Sequence, residues 1–236
     1  MTAWAPIEQT LTSALNLSRR PVAVSFLDTP PAGVPAFAGS EPSGCSFWRV
    51  AAAGRTFYTV ASDHYNCPIG AHTHAFTLPA SRAPELEQTL GLMARIGYVR
   101  MEEVPGIPVL PKTPAAVVYA PLGDTPVDPD VVLVAGRPGR LMLLLEAAGR
   151  AGVATQPGLL GRPTCMALPA ALAGGAVASA GCIGNRIYTD LGDDELYVAV
   201  PGRDVVRVAD ELATIIAAND TLAGYHRDRR RALATE

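Results

Sequence analysis

Cys45-Ser46-Phe47-Trp48-Arg49-Val50-Ala51-Ala52-Ala53-Gly54, followed by Thr56-Phe57-Tyr58-Thr59-Val60 and Cys67-Pro68-Ile69-Gly70, has a counterpart later in the chain. There, Cys165-Met166-Ala167-Leu168-Pro169-Ala170-Ala171-Leu172-Ala173-Gly174 leads into Gly175-Ala176-Val177-Ala178-Ser179 and then Cys182-Ile183-Gly184. The spacing from Cys to Gly is the same in both (54 − 45 and 174 − 165), and the second Cys of each stands just before an Ile-Gly pair, directly or after Pro68. Each unit reads as a short helix opened by the first Cys and ended by Gly54 or Gly174. Such a helix advances about 13 Å, and four or five extended residues then travel back about 13–17 Å. Cys67 is thereby returned to Cys45, and Cys182 to Cys165.

The flanks extend the correspondence. Residues 21–26 and 114–119 both read as buried strands entered from a proline. Phe76-Thr77-Leu78-Pro79 and Tyr197-Val198-Ala199-Val200-Pro201 read as strands ended by proline, each followed by a helix. Those helices, residues 83–96 and 205–218, repeat Leu86, Leu90 and Met93 or Val208, Leu212 and Ile215 at helical spacing. A further helix over 140–152 carries Leu141-Met142-Leu143-Leu144-Leu145, and residues 6–17 form an amphipathic helix with Ile7, Leu11, Ala14 and Leu15 on one face. The expected fold is α/β (α+β): two pseudo-symmetric α/β repeats sharing one core, with mixed sheets and flanking helices. No Gly/Ser linker divides the chain, so residues 1–236 are expected to form a single domain. Its halves would run over about 20–104 and 112–220, with an N-terminal helix in 1–19 and a basic C-terminal tail in 221–236.

Composition narrows the function classes. With 49% apolar and 17% charged residues the chain can bury a substantial core. A net charge of −3 argues against a dedicated nucleic-acid binder. The first residues lack the basic and apolar regions of a secretory signal. The uncharged stretch over 166–185 is rich in Ala and Gly and holds Pro169, unlike a membrane span. A cytoplasmic protein is expected, with its four cysteines as thiols or ligands rather than disulfides. The P-loop, the dinucleotide-binding glycine fingerprint, the Gly-x-Ser-x-Gly elbow and His-Glu-x-x-His are missing from the sequence.

The chemistry-bearing residues gather around the cysteines. If the halves pack about a pseudo-twofold axis, Cys45, Cys67, Cys165 and Cys182 converge. A thiol at a helix N-terminus is expected to have a lowered pKa, and four thiolates suit an iron–sulfur cluster, [4Fe-4S] or [2Fe-2S], with tetrahedral zinc as the alternative. The spacings match neither a Cys-x-x-Cys zinc ribbon nor a ferredoxin run, so inert core thiols, redox thiols, a nucleophile or a disulfide within one half stay open. His64, His72 and His74 crowd Cys67. If the chain after Gly70 is extended, His72 and His74 share a face, where they can ligate zinc, copper or iron or supply a proton. Arg162 precedes Cys165, and Asn185-Arg186 follows Cys182-Ile183-Gly184. Both arginines can offset an anionic cluster or clamp a carboxylate or phosphate, or else pair with Asp190, Asp193 or Asp194.

The strand at Pro21-Val22-Ala23-Val24, Cys45 with Ala52-Ala53-Gly54, the Cys67 turn and Gly181-Cys182-Ile183-Gly184-Asn185-Arg186 together resemble domain of unknown function family 169, over about residues 21–218. The resemblance implies a prokaryotic cytosolic protein and carries no activity with it. The functional expectation is a four-cysteine iron–sulfur protein, favouring [4Fe-4S]. As an enzyme it would use the cluster as a Lewis acid or electron carrier on a small anionic substrate. The alternatives are a non-catalytic metal or redox sensor or carrier, and a small-molecule binding or transferase domain with structural cysteines. A small-molecule ligand and a homo-oligomer are compatible with this reading; nucleic acid and membrane are not expected partners.

Overall fold

Strands whose successive residues are all apolar need cover on both faces, and that requirement organises this molecule. The computed structural model describes residues 4–234. Residues 1–3 and 235–236, the outer ends of the expected N-terminal helix and basic tail, lie outside the described residues. In chain order the elements are α1 (Trp4–Leu15), β1 (Val22–Leu27), α2 (Ser46–Ala52), β2 (Phe57–Thr59), α3 (Pro68–Thr73), α4 (Pro84–Arg95), β3 (Ala116–Pro121), β4 (Val131–Gly136) and α5 (Pro138–Arg150). They continue with β5 (Thr155–Leu160), α6 (Ala167–Gly174), β6 (Ala176–Ser179), α7 (Ile183–Thr189), β7 (Leu196–Pro201) and α8 (Val205–Leu233).

The strands form one mixed sheet in the order β2-β3-β1-β4-β7-β6-β5, antiparallel throughout except for the β5–β6 pair. The mixed α/β class expected from sequence is the one observed. Side chains alternate between two cores with the period of the pleat. Val22, Val24, Val117, Tyr119, Val131, Leu133, Tyr197 and Ala199 face one side, against α2 and α6. Ala23, Val132, Val134, Val198 and Val200 face the other, against α1, α5 and α8. Each buried Val or Leu contributes about 1.5–3 kcal/mol of transfer free energy, so a slip of one residue in β4 or β7 would exchange two well-matched sets of neighbours.

From its centre outward the sheet has matched pairings: β1, β3, β2 on one side and β4, β7, β6 on the other. The strand expected to open a second half, residues 114–119, falls in β3, which lies between β1 and β2. A division at 104/112 therefore cuts across the sheet order. Phe76-Thr77-Leu78-Pro79 is not a strand. The Phe76 amide instead bonds back to the Ala71 carbonyl, after Ala75 turns with φ +58°, and the Phe76 ring is buried. Helix α4 occupies the expected residues but buries none of them fully. The last helix continues through the basic run to Leu233. Among the described residues no helix is long and apolar enough to cross a membrane.

Candidate functional site

The core face bearing α2 and α6 also carries all four cysteines. Cys45 is the N-cap of α2, which ends before Gly54 at φ +105°. Cys165 lies in the 3₁₀ turn Thr164–Met166 that leads into α6. That helix is terminated by Gly175 (φ +100°) rather than Gly174, and a Cβ on Gly175 would lie 2.1 Å from the Ala154 carbonyl oxygen. Cys67 caps α3, its Sγ accepting from the Gly70 amide at 3.3 Å, and Cys182 caps α7, its Sγ accepting from the Asn185 amide at 3.5 Å. Thus the two Cys-(Pro)-Ile-Gly segments make the same local turn, because a sulfur at the N-cap meets the orphan amide at N3.

The two turns lie close to each other's thiols. Thr73 of α3, whose hydroxyl donates to the Gly70 carbonyl, lies beside Cys165, and Asn185 of α7 lies beside Cys45, each polar group opposing the rise in the thiol's pKa. The Ser43 hydroxyl lies 3.0 Å from Cys45 Sγ, and the Cys182 amide donates to Thr164 Oγ1 beside Cys165. As a result Cys45, Cys67, Cys165 and Cys182 all line one cavity of about 300 Å³. Cys45 and Cys165 are buried, Cys67 and Cys182 are partly buried, and all four are free thiols. Among the described residues no three His, Cys, Asp or Glu side chains form a group able to hold a metal ion.

Electrostatics at Cys45, Cys67 and Cys165 run opposite to the expectation from helix N-termini. Burial pushes the Cys45 thiol up to about 11, and charges on Cys182 and Cys67 would push the same way, against opposition from Ser43 and Asn185. Burial likewise raises Cys67, and raises Cys165 well above the ordinary thiol range. Helices α2 and α3, capped by Cys45 and Cys67, have only seven and six residues, so their end charges are too small to offset desolvation. At neutral pH the buried sulfurs are protonated, and any cation bound by them must displace protons.

The histidines do not form the expected ligand face. Pro68 at the first turn and Cys67 at the cap make residues 68–73 helical rather than extended, so His72 and His74 diverge. His72 borders a separate groove with Phe76 and Leu86. His64 and His74 are fully buried, with ring centroids 5.0 Å apart, and neither lines the cysteine cavity. The Thr59 hydroxyl donates to the Val117 carbonyl, so His64 Nε2–H donates to Thr59 Oγ1 at 2.9 Å. His74 Nδ1–H donates to the Gly70 carbonyl at 2.9 Å. His64 Nδ1, His74 Nε2 and the Tyr119 hydroxyl are buried without a hydrogen-bond partner.

The two arginines part company. Arg186 turns inward beneath α7 and donates to the carbonyls of Gly192, Ala180 and Glu195; its place is structural, and it does not line the cavity. Arg162 does line it, with its guanidinium 4.1 Å from the centre of the Tyr98 ring. Asn185 is 1% exposed on the cavity wall, and neither its Nδ2 nor its Oδ1 meets a partner at hydrogen-bonding geometry. Each unmet buried group costs about 1–3 kcal/mol until something satisfies it.

Sequence reasoning missed the outer wall. The stretch from α4 to Ile107 brings Leu90, Met93, Tyr98, Val99 and Ile107 over the thiols. The periodic Leu86, Leu90 and Met93 signalled an apolar face, but not that it would cover a cavity. Ser43 and Thr164 were also missed. A hydroxyl residue within two positions of each buried Cys is the signal that was available.

Comparison with curated proteins and with solved structures returns no match. A family model described as domain of unknown function 169, an uncharacterised ArCR family, matches residues 10–211. That span takes in every strand, all four cysteines and the cavity they share. The chain belongs to the domain of unknown function family 169.

Proposed function

We propose that Cys45, Cys67, Cys165 and Cys182 hold an iron–sulfur cluster, [4Fe-4S] in preference to [2Fe-2S], at the floor of a ligand cavity. The observation that carries this reading is the convergence of four thiols, from two separate parts of the chain, on one cavity. The donor set is all sulfur, the choice made by clusters and zinc. Backbone amides at Cys67 and Cys182 and the Ser43 hydroxyl at Cys45 are hydrogen-bonding partners of the kind that stabilise thiolates and tune cluster potentials. Zinc is the alternative occupant. A single tetrahedral ion needs sulfurs about 3.8 Å apart, and the described residues make no such single-ion group. A polynuclear cluster spreads its thiolates over several irons and accepts a wider spacing.

Bound there, a cluster would supply an electron carrier or Lewis acid. The chain's own part is to bury the sulfurs, to set the polar side chains of Thr73 and Asn185 beside Cys165 and Cys45, and to shield the cavity with the α4 segment. A small anionic substrate would enter past Arg162. A sensor or carrier using the same cysteines would show metal-dependent partner binding without turnover.

Anaerobic purification or reconstitution with iron and sulfide is expected to give a brown protein holding about four irons per chain. Cys165→Ser should lose most of that iron. A colourless, iron-free product after reconstitution overturns the cluster, and stoichiometric zinc without sulfide replaces it with the zinc site. If all four cysteines can be replaced by Ser with stability altered and ligand binding intact, the thiols are structural.

A further inference from the structure

We propose that the mouth of the cysteine cavity binds an organic monoanion, its carboxylate on Arg162 and an apolar body lying inward against Leu90, Met93 and Ile107. This rests on the reading of the cavity as the working site, but not on which metal group the sulfurs hold.

The charge pattern carries it. Arg162 is the one ionisable side chain, cysteines and tyrosines aside, among the described residues that line the cavity. It makes no ion pair within 4.0 Å with a described residue. Glu103 is paired with Arg100 at 2.5 Å, which holds its carboxyl low, and the Arg162 charge is the smallest contributor. The guanidinium is instead held by the Tyr98 ring, and Tyr98 is itself pinned, its hydroxyl accepting from the Ile183 amide at 3.3 Å. Stacking leaves the edge N–H groups of an arginine free in their fork, the geometry that takes a carboxylate through two parallel bonds. Because the cation is already oriented, less freedom is lost on binding.

The surroundings decide the rest of the ligand. The wall facing Arg162 is hydrocarbon from α4 and the segment up to Ile107, and Ile183 stands at the rim, 59% exposed. A doubly charged phosphate would have to shed its water among these groups with one cation to meet it, which low-polarity surroundings penalise. A single carboxylate is matched by one guanidinium, and its hydrocarbon or aromatic body gains by leaving water. Inside, the unmet carboxamide of Asn185 supplies one donor and one acceptor for a polar group on that body or for the sulfur-bound group beneath it.

Titration calorimetry with benzoate, phenylacetate, the neutral amides of both acids, and inorganic phosphate tests this. The full-length protein is used, with iron and sulfide measured on the same samples. Both carboxylates are expected to bind at least about tenfold more tightly than their amides and than phosphate. Arg162→Gln should erase the preference for carboxylate over amide, and Arg162→Lys should keep part of it. Arg162 is exposed on the rim, so neither change threatens folding. No heat with the carboxylates, equal affinity for amide and acid, phosphate binding as tightly as benzoate, or an unchanged preference in Arg162→Gln would each overturn the proposal. Iron content is read separately, so loss of the cluster reading leaves a distinct record.

Discussion

Acid should unfold this protein through its buried imidazole pair before general carboxylate protonation accounts for the loss. His74 is fully buried, and burial lowers its pKa from 6.5 to about 4, with the Gly70 carbonyl acting in the opposite direction. His64, also buried, is lowered well below its ordinary value by burial and by the charge His74 would carry. The groups packed around them are Phe47, Phe76, Tyr119, Phe26, Thr59 and Thr73, none of which offers a compensating negative charge at acid pH. A histidine whose folded pKa is depressed takes up its proton first in the unfolded chain. Its stabilising contribution is complete above about pH 6.5 and is lost as pH falls toward 4. For His74 alone the shift of about 2.5 units corresponds to about 3 kcal/mol, a large part of a typical stability of about 5–15 kcal/mol. His64 adds in the same direction. Urea unfolding at pH 7.0, 5.5 and 4.5 reads the total, and His74→Asn separates the histidine from the carboxylates. An asparagine amide reaches the position of Nδ1 and can still donate to the Gly70 carbonyl, but it does not titrate. The variant is expected to lose about 2–3 kcal/mol less than the wild type between pH 7.0 and 4.5. Parallel curves for the two proteins would refute the reasoning.

Two further outcomes follow from the same packing. Tyr119→Phe removes a buried hydroxyl that has no partner and should raise stability by about 1 kcal/mol; a comparable loss in the urea midpoint would mean that the hydroxyl is satisfied after all. Gly175→Ala forces a side chain into φ +100° and toward the Ala154 carbonyl, so a drop of at least about 2 kcal/mol is expected, and a drop below 0.5 kcal/mol, on the order of an ordinary surface change, would show that the α6–β6 turn relaxes freely.

The positions of the cysteines illustrate how far sequence reading reaches. The repeated spacing from Cys45 to Gly54 and from Cys165 to Gly174, with the Ile-Gly turns after Cys67 and Cys182, was sufficient to expect two helix-and-return units, although the residues beside Cys45 and Cys165, Asn185 and Thr73, come from the opposite unit. Such units are local, built from caps, short helices and positive-φ glycines. The same local logic failed at His72 and His74, because Pro68 and the Cys67 cap favoured a helix where an extended segment was expected. It also failed at the ionisation of Cys45 and Cys67, where burial outweighs the ends of two short helices.

By itself the sequence determined the mixed α/β class, most of the helices, and which residues could bear chemistry. These depend on periodicity, capping and side-chain type within a few turns of chain. Only the tertiary structure decided that β3 lies between β1 and β2, that α4 forms the wall of a cavity rather than part of a core, and that Arg162 faces that cavity while Arg186 ties loop carbonyls. Strand order and the direction of a long side chain depend on partners distant in sequence, and those partners acquire their positions through the competition of the whole chain for buried surface.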